Sequence, residues 1–169
     1  MLEIINNLKP FFEDCYRRIS VREYSRLTKI SPPTASKKLL EYNKERLLVI
    51  EKDRNYIFYY ADKNSDLFID LSRIYWKIKL NELTQFLNKN LTNPTIILFG
   101  SLSKAETKIN SDVDICIIGH KKEINITKFE NTIKRKTQLF FFDSISKIKN
   151  KELANNIING YKLDGRLKL

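Results

Sequence analysis

The sequence predicts an α+β chain of two domains: short helices leading into a β-hairpin, then a small α/β domain on a mixed sheet. Two observations predict it. Residues 20–60 carry two serine-capped helical segments followed by two aromatic and β-branched runs around a polar turn. Residues 95–118 carry two apolar runs separated by a Gly-Ser turn and an Asp-x-Asp triplet. At 169 residues, with 42% hydrophobic and 30% charged side chains, the chain has an ordinary globular composition and room for two small domains. The expected division is 1–62, a connecting helix and linker over 63–93, and 94–169.

The first apolar segment places Leu8, Phe11, Phe12 and Cys15 at helical spacing, and Pro10, tolerated in a first turn, marks the expected start of that helix. Ser20 reads as the cap of a second helix, with Glu23 as its capping-box partner. Ser31 caps a third, whose first turn holds Pro32 and Pro33. Ala35, Leu39 and Tyr42 then face the core, while Thr34, Ser36, Lys37 and Lys38 fall outward. The runs 47–52 and 56–60 flank the turn Asp53-Arg54-Asn55 as a β-hairpin.

Three helices and a hairpin in this order resemble winged helix-turn-helix transcription regulators of the archaeal and MarR-like kind. Such regulators carry a glycine before the first wing strand, where Arg46 stands here. The resemblance implies double-stranded DNA as a partner. The physical case agrees: an exposed helix with hydroxyls and lysines suits the major groove, while Lys52, Arg54 and Asn55 reach phosphate or minor groove. The chain carries a net charge of +11, and residues 17–54 hold 11 Lys/Arg against 5 Asp/Glu. Polyanions are the partners such a balance favours.

Residues 65–88 form the longest helical pattern, with apolar positions 67, 71, 74 and 78 and Trp76 off that stripe among polar neighbours. The stripe reads as a domain connection, a homodimer interface or both. A polar segment ending at Pro94 closes it.

In the C-terminal half, a strand over 95–99 ends at Gly100-Ser101, a turn that opens a short helix and suits a phosphate. A second strand follows at Asp112-Val113-Asp114. Residues two apart on a strand share a side, so the two carboxylates project together and call for a cation, naturally magnesium bridging to nucleotide phosphates.

Glycine-serine, about ten residues and then Asp-x-Asp preceded by serine resemble the minimal nucleotidyltransferase branch of the DNA polymerase beta superfamily. The resemblance implies that Asp112 and Asp114 are catalytic and bind Mg²⁺ (or Mn²⁺), and that Gly100, Ser101 and Lys104 hold the triphosphate of ATP or another NTP. Lys104 and Ala105 stand where the family often has arginine and glycine. A third carboxylate belongs on a later strand, here 137–143, where Gln138 occupies the expected position. Asp143, at the strand's end, is either a substitute or a turn former. Thr127 and Glu130 read as a capping box, 150–159 as a closing helix stopped by Gly160, and Asp164-Gly165 as a turn.

The resemblance leaves the acceptor open: a protein such as a HEPN toxin silenced by adenylylation (an antitoxin role), a small molecule or a nucleic acid. The alternative reading is a DNA-binding regulator whose nucleotidyltransferase fold only senses nucleotide. His120 is the one histidine, so zinc sites built from several histidines are excluded and a Ser-His-Asp hydrolase would have to use it. Cys15 and Cys116 read as reduced thiols of a cytoplasmic protein, with no secretory signal and no membrane span expected.

Overall fold

Caps and buried faces set the elements of the N-terminal half. The structure, a computed structural model, describes residues 3–167. Helix α1 (Glu3–Glu13) runs straight through Pro10 rather than starting there. An interior proline costs about 3 kcal/mol, but Ile5, Leu8, Phe11 and Phe12 are all fully buried along this helix, a larger combined gain. After the two-residue strand β1 (Ile19–Ser20), α2 (Val21–Thr28) begins with Ser20 Oγ accepting from Glu23 N at 3.3 Å. Lys29, at φ 57°, ends it in a left-handed cap. Helix α3 (Pro32–Lys44) starts with Ser31 Oγ accepting from Thr34 N at 3.3 Å, and both prolines fall in its first turn.

Strands β2 (Leu48–Asp53) and β3 (Tyr56–Ala61) form the expected hairpin, and β1 adds to its other side, giving an antiparallel sheet in the order β1-β3-β2. Arg46, just before the hairpin, takes the left-handed conformation at φ 56°. The turn keeps its geometry and bears the strain of a side chain there.

The stretch read as one helix over 65–88 is two: α4 (Asp66–Lys79) and α5 (Asn81–Asn90), interrupted at Leu80. Leu80 is fully buried, and so is Trp76, although it lies off the apolar stripe among polar positions. Indole area outweighs the polarity of its chain neighbours.

The chain divides into two compact units. One holds the chain through Tyr75 together with Ala105–Ile109; the other holds Trp76–Lys104 and the chain from Asn110 onward. In the first unit, Phe12 is the hub of an aromatic cluster, with ring centroids 5.1 Å from Phe68 and 5.4 Å from Tyr75.

The second unit is built on β4 (Thr95–Phe99), a short 3₁₀ turn (Gly100–Lys104), β5 (Val113–Ile118), α6 (Thr127–Ile133), β6 (Thr137–Phe142), a second 3₁₀ turn (Ile145–Lys147), α7 (Lys151–Ile158) and β7 (Tyr161–Asp164). The sheet order is β6-β5-β4-β7, with β5 and β6 parallel and the other pairs antiparallel. This is a mixed sheet. Strand β7 lay hidden in the sequence, where only its closing Asp164-Gly165 turn is legible.

One sheet face carries Ile97, Phe99 and Cys116 against Ile148 and Ile157, joined by Phe140, Phe142, Leu153 and Ala154. Asn150 Oδ1 caps α7 by accepting from Leu153 N at 3.1 Å. Helix α6 departs from the expected capping box. Thr127 N donates instead to Asn125 Oδ1 at 3.0 Å, and Glu130 Oε1 accepts from Thr137 N at 2.8 Å. A carboxylate that reaches the next strand's backbone is unavailable to its own helix start. Among the described residues no helix is long and apolar enough to cross a membrane.

Candidate active site

The ladder between β4 and β5 pairs Phe99 with Asp114, which brings the next residue, Gly100, against the Asp114 side chain. Gly100 has φ +71°, and a Cβ built on it would lie 2.3 Å from Asp114 Oδ2. No side chain fits there without displacing the carboxylate. The turn after it is fixed from inside, since the fully buried Ser103 donates its hydroxyl to the Gly100 carbonyl at 2.9 Å.

Asp112 stands one residue before β5, and strand alternation sends Asp112 and Asp114 to the same side. Both are half-buried. Burial first, and the neighbouring Asp112 charge second, hold the Asp114 carboxyl above its ordinary pKa. The pair is therefore electrostatically unsatisfied as protein alone. Gln138 lies opposite Asp114 in the parallel ladder, and its Nε2 donates to Asp112 Oδ2 at 2.9 Å. The position expected for a third acid thus faces the pair, but presents an amide.

Residues 81–163 match the family model described as "Polymerase beta, Nucleotidyltransferase". This part of the chain is similar to polymerase beta-type nucleotidyltransferases. No curated protein and no solved structure is significantly similar to the chain.

Within the matched region, the donor set fits one divalent cation. Asp112 and Asp114 supply two anionic ligands whose mutual repulsion a cation would relieve. A second cation finds less. Among the described residues no three His, Cys, Asp or Glu side chains converge, and Gln138 adds no charge.

Asp143 does not repair this. It is exposed, beyond the end of β6 where Gly119 N donates to Phe142 O at 2.9 Å. Five residues separate it from Gln138 along an extended strand, about 16 Å. That spacing sets Asp143 apart from the Asp112–Asp114 pair.

Ser101 is half-buried in the turn. Lys104 is exposed, and its Nζ donates to Asn156 Oδ1 of α7 at 2.8 Å. Ala105, standing where the family often has glycine, is fully buried in a left-handed conformation at φ 55°. Asn156 is a neighbour of the site that sequence reading missed, as is Arg135. Neither carried a signal, because an asparagine in a helix and an arginine between two lysines look like solvated surface. His120 is exposed in the loop after β5. Cys15 and Cys116 are buried free thiols, with burial pushing their pKa values up to about 11 and about 12. They stay protonated and unreactive at neutral pH.

In the N-terminal unit, Thr34 and Lys37 are exposed on α3, whereas Ser36 and Lys38 are half-buried. Lys38 Nζ lies 2.6 Å from Glu3 Oε1, an ion pair that draws it back toward α1. Lys52, Arg54 and Asn55 are exposed at the hairpin tip. Arg18, unremarked in the sequence, sits 2.9 Å from Glu51 and 3.3 Å from Asp53 and covers the Phe58 ring at 4.6 Å. It pairs with Glu51 and Asp53 of the hairpin, and among the described residues Lys52 and Arg54 form no ion pair.

Proposed function

We propose that the C-terminal domain catalyses Mg²⁺- or Mn²⁺-dependent transfer of a nucleoside monophosphate from ATP or another NTP to an acceptor hydroxyl. The observation that carries this reading is the Asp112–Asp114 pair held against a glycine where any side chain would displace the Asp114 carboxylate, inside the region that matches polymerase beta-type nucleotidyltransferases. A bound divalent cation supplies charge neutralisation for the phosphates. The chain's own residues do the rest. Asp112 and Asp114 hold the cation; Gly100 and Ser101 let the triphosphate approach the backbone; Lys104 adds a positive charge at the turn. The acceptor oxygen bonds the α-phosphorus, the bond from that phosphorus to the bridging β-phosphate oxygen breaks, pyrophosphate leaves, and the acceptor's proton passes to solvent.

Gln138 cannot accept the acceptor's proton as a carboxylate would. General-base assistance is worth about 10²–10⁴-fold, so turnover is expected to be slow. The acceptor class we favour is a partner protein, as in a HEPN-type toxin silenced by its antitoxin. The N-terminal unit acts as a winged-helix reader of double-stranded DNA, which suits a protein that also controls its own expression. A second reading has one observation in its favour. The Gln138 amide is already bonded to Asp112, as in a domain that senses nucleotide without transferring it.

Incubation with each α-labelled NTP, Mg²⁺ and candidate acceptors separates the two. Transfer of label by the wild type, increased in Gln138→Asp, supports the enzyme. No transfer by either protein leaves the regulator.

A further inference from the structure

Asp112 lies outside the β5 ladder, so its orientation must come from elsewhere. The dipeptide Arg135-Lys136, between α6 and β6, supplies it on both sides. Val113 N donates to the Lys136 carbonyl at 2.8 Å, and Arg135 Nη1 donates to the Ser111 carbonyl at 2.7 Å. These bonds fix the peptide groups that precede and follow Asp112. Arg135 is only 7% exposed, and its guanidinium lies over the Trp76 ring, 5.1 Å from the centroid. A guanidinium removed from water is costly unless its donors are used, so the Ser111 bond is held firmly and short.

We infer that Arg135 is a positioning residue: through the Ser111 carbonyl, seated on Trp76, it sets the direction of the Asp112 carboxylate toward the cation. Its effect on the cation rests on reading Asp112 and Asp114 as a cation site; the bracing of the backbone does not. Lysine at this position keeps the charge but loses the planar fork that stacks on an indole while donating sideways.

Two measurements on the full chain test this. The first is amide hydrogen exchange of Val113 without metal, referenced to Cys116 in the same strand. Arg135→Met fills a similar volume over Trp76 without a donor. It should speed Val113 exchange relative to Cys116, with Arg135→Lys in between; unchanged relative exchange in a folded variant overturns the bracing. The second is Mn²⁺ affinity, read from the electron paramagnetic resonance signal of free Mn²⁺. Arg135→Met should weaken it by about ten-fold, the scale of lost outer hydrogen bonds at metal sites, and Arg135→Lys by less. Wild-type affinity in Arg135→Met, together with loss of binding in Asp112→Asn, overturns the positioning role alone. Wild-type affinity in Asp112→Asn overturns the cation site instead, and the exchange result still decides the bracing. If Arg135→Met does not melt cooperatively, Arg135→Lys carries both measurements.

Discussion

At the scale of single residues, Asp114 exposes a conflict between stability and chemistry. Burial and the Asp112 charge raise its pKa above the ordinary 3.8. The folded state therefore holds this proton more tightly than the unfolded chain does. The corresponding stability is present at low pH and is lost as the pH rises through the raised value. Metal-free Asp114→Asn is accordingly expected to melt above the wild type at pH 7, with the gap closing as the pH falls toward 3.8. The same variant should lose the stabilisation that Mn²⁺ gives. Melting curves in EDTA and in Mn²⁺ across this range check both halves, and a lower melting temperature for the variant in EDTA at pH 7 would contradict the electrostatic account. Asp112, Asp114 and Gly100 were legible in the sequence because strand alternation and a turn are local. The partners that tune them were not. Gln138 reaches Asp112 across 26 residues, Arg135 reaches Ser111 across 24, and Asn156 reaches Lys104 across 52.

Elements follow the same division between local and distant causes. Ser20 and Ser31 cap their helices as their spacing predicts, and Asn150, which the sequence placed inside the closing helix, caps it instead. Pro10 stays inside α1, Leu80 breaks a predicted single helix and Glu130 leaves its capping box, each because a tertiary contact outweighs a local preference. For the α3 and hairpin surface this matters directly. Lys37 and Arg54 are exposed, whereas Lys38 is tied to Glu3. Binding of double-stranded DNA, measured against salt concentration, should lose about one unit of slope in each of Lys37→Ala and Arg54→Ala if they contact phosphate. Lys38→Ala should change the slope less than either. Equal slopes in all three variants and the wild type would assign the binding to general basicity.

At the scale of the whole molecule, the units do not follow the order of the chain. Ala105–Ile109 belongs with the N-terminal unit, where the Thr107 carbonyl accepts from Cys15 N at 2.8 Å and both residues are fully buried. A fragment ending at Tyr75 loses that hydrogen bond, worth about 0.5–1.5 kcal/mol net, together with the burial that the segment provides. Such a fragment is expected to unfold at lower urea than the same fold within the full chain, and circular dichroism would show it. This interleaving has no sequence signal, since residues 105–109 resemble any loop between two strands. The central claim concerns the other unit: Asp112 and Asp114 together hold a divalent cation on which nucleotide binding depends. Calorimetric titration of a non-hydrolysable ATP analogue into the full chain tests it most directly, with Mn²⁺, with EDTA, and with Asp112→Asn and Asp114→Asn combined. Binding that appears with Mn²⁺ and disappears in EDTA and in the double variant is the predicted result; equal binding in all three would contradict it.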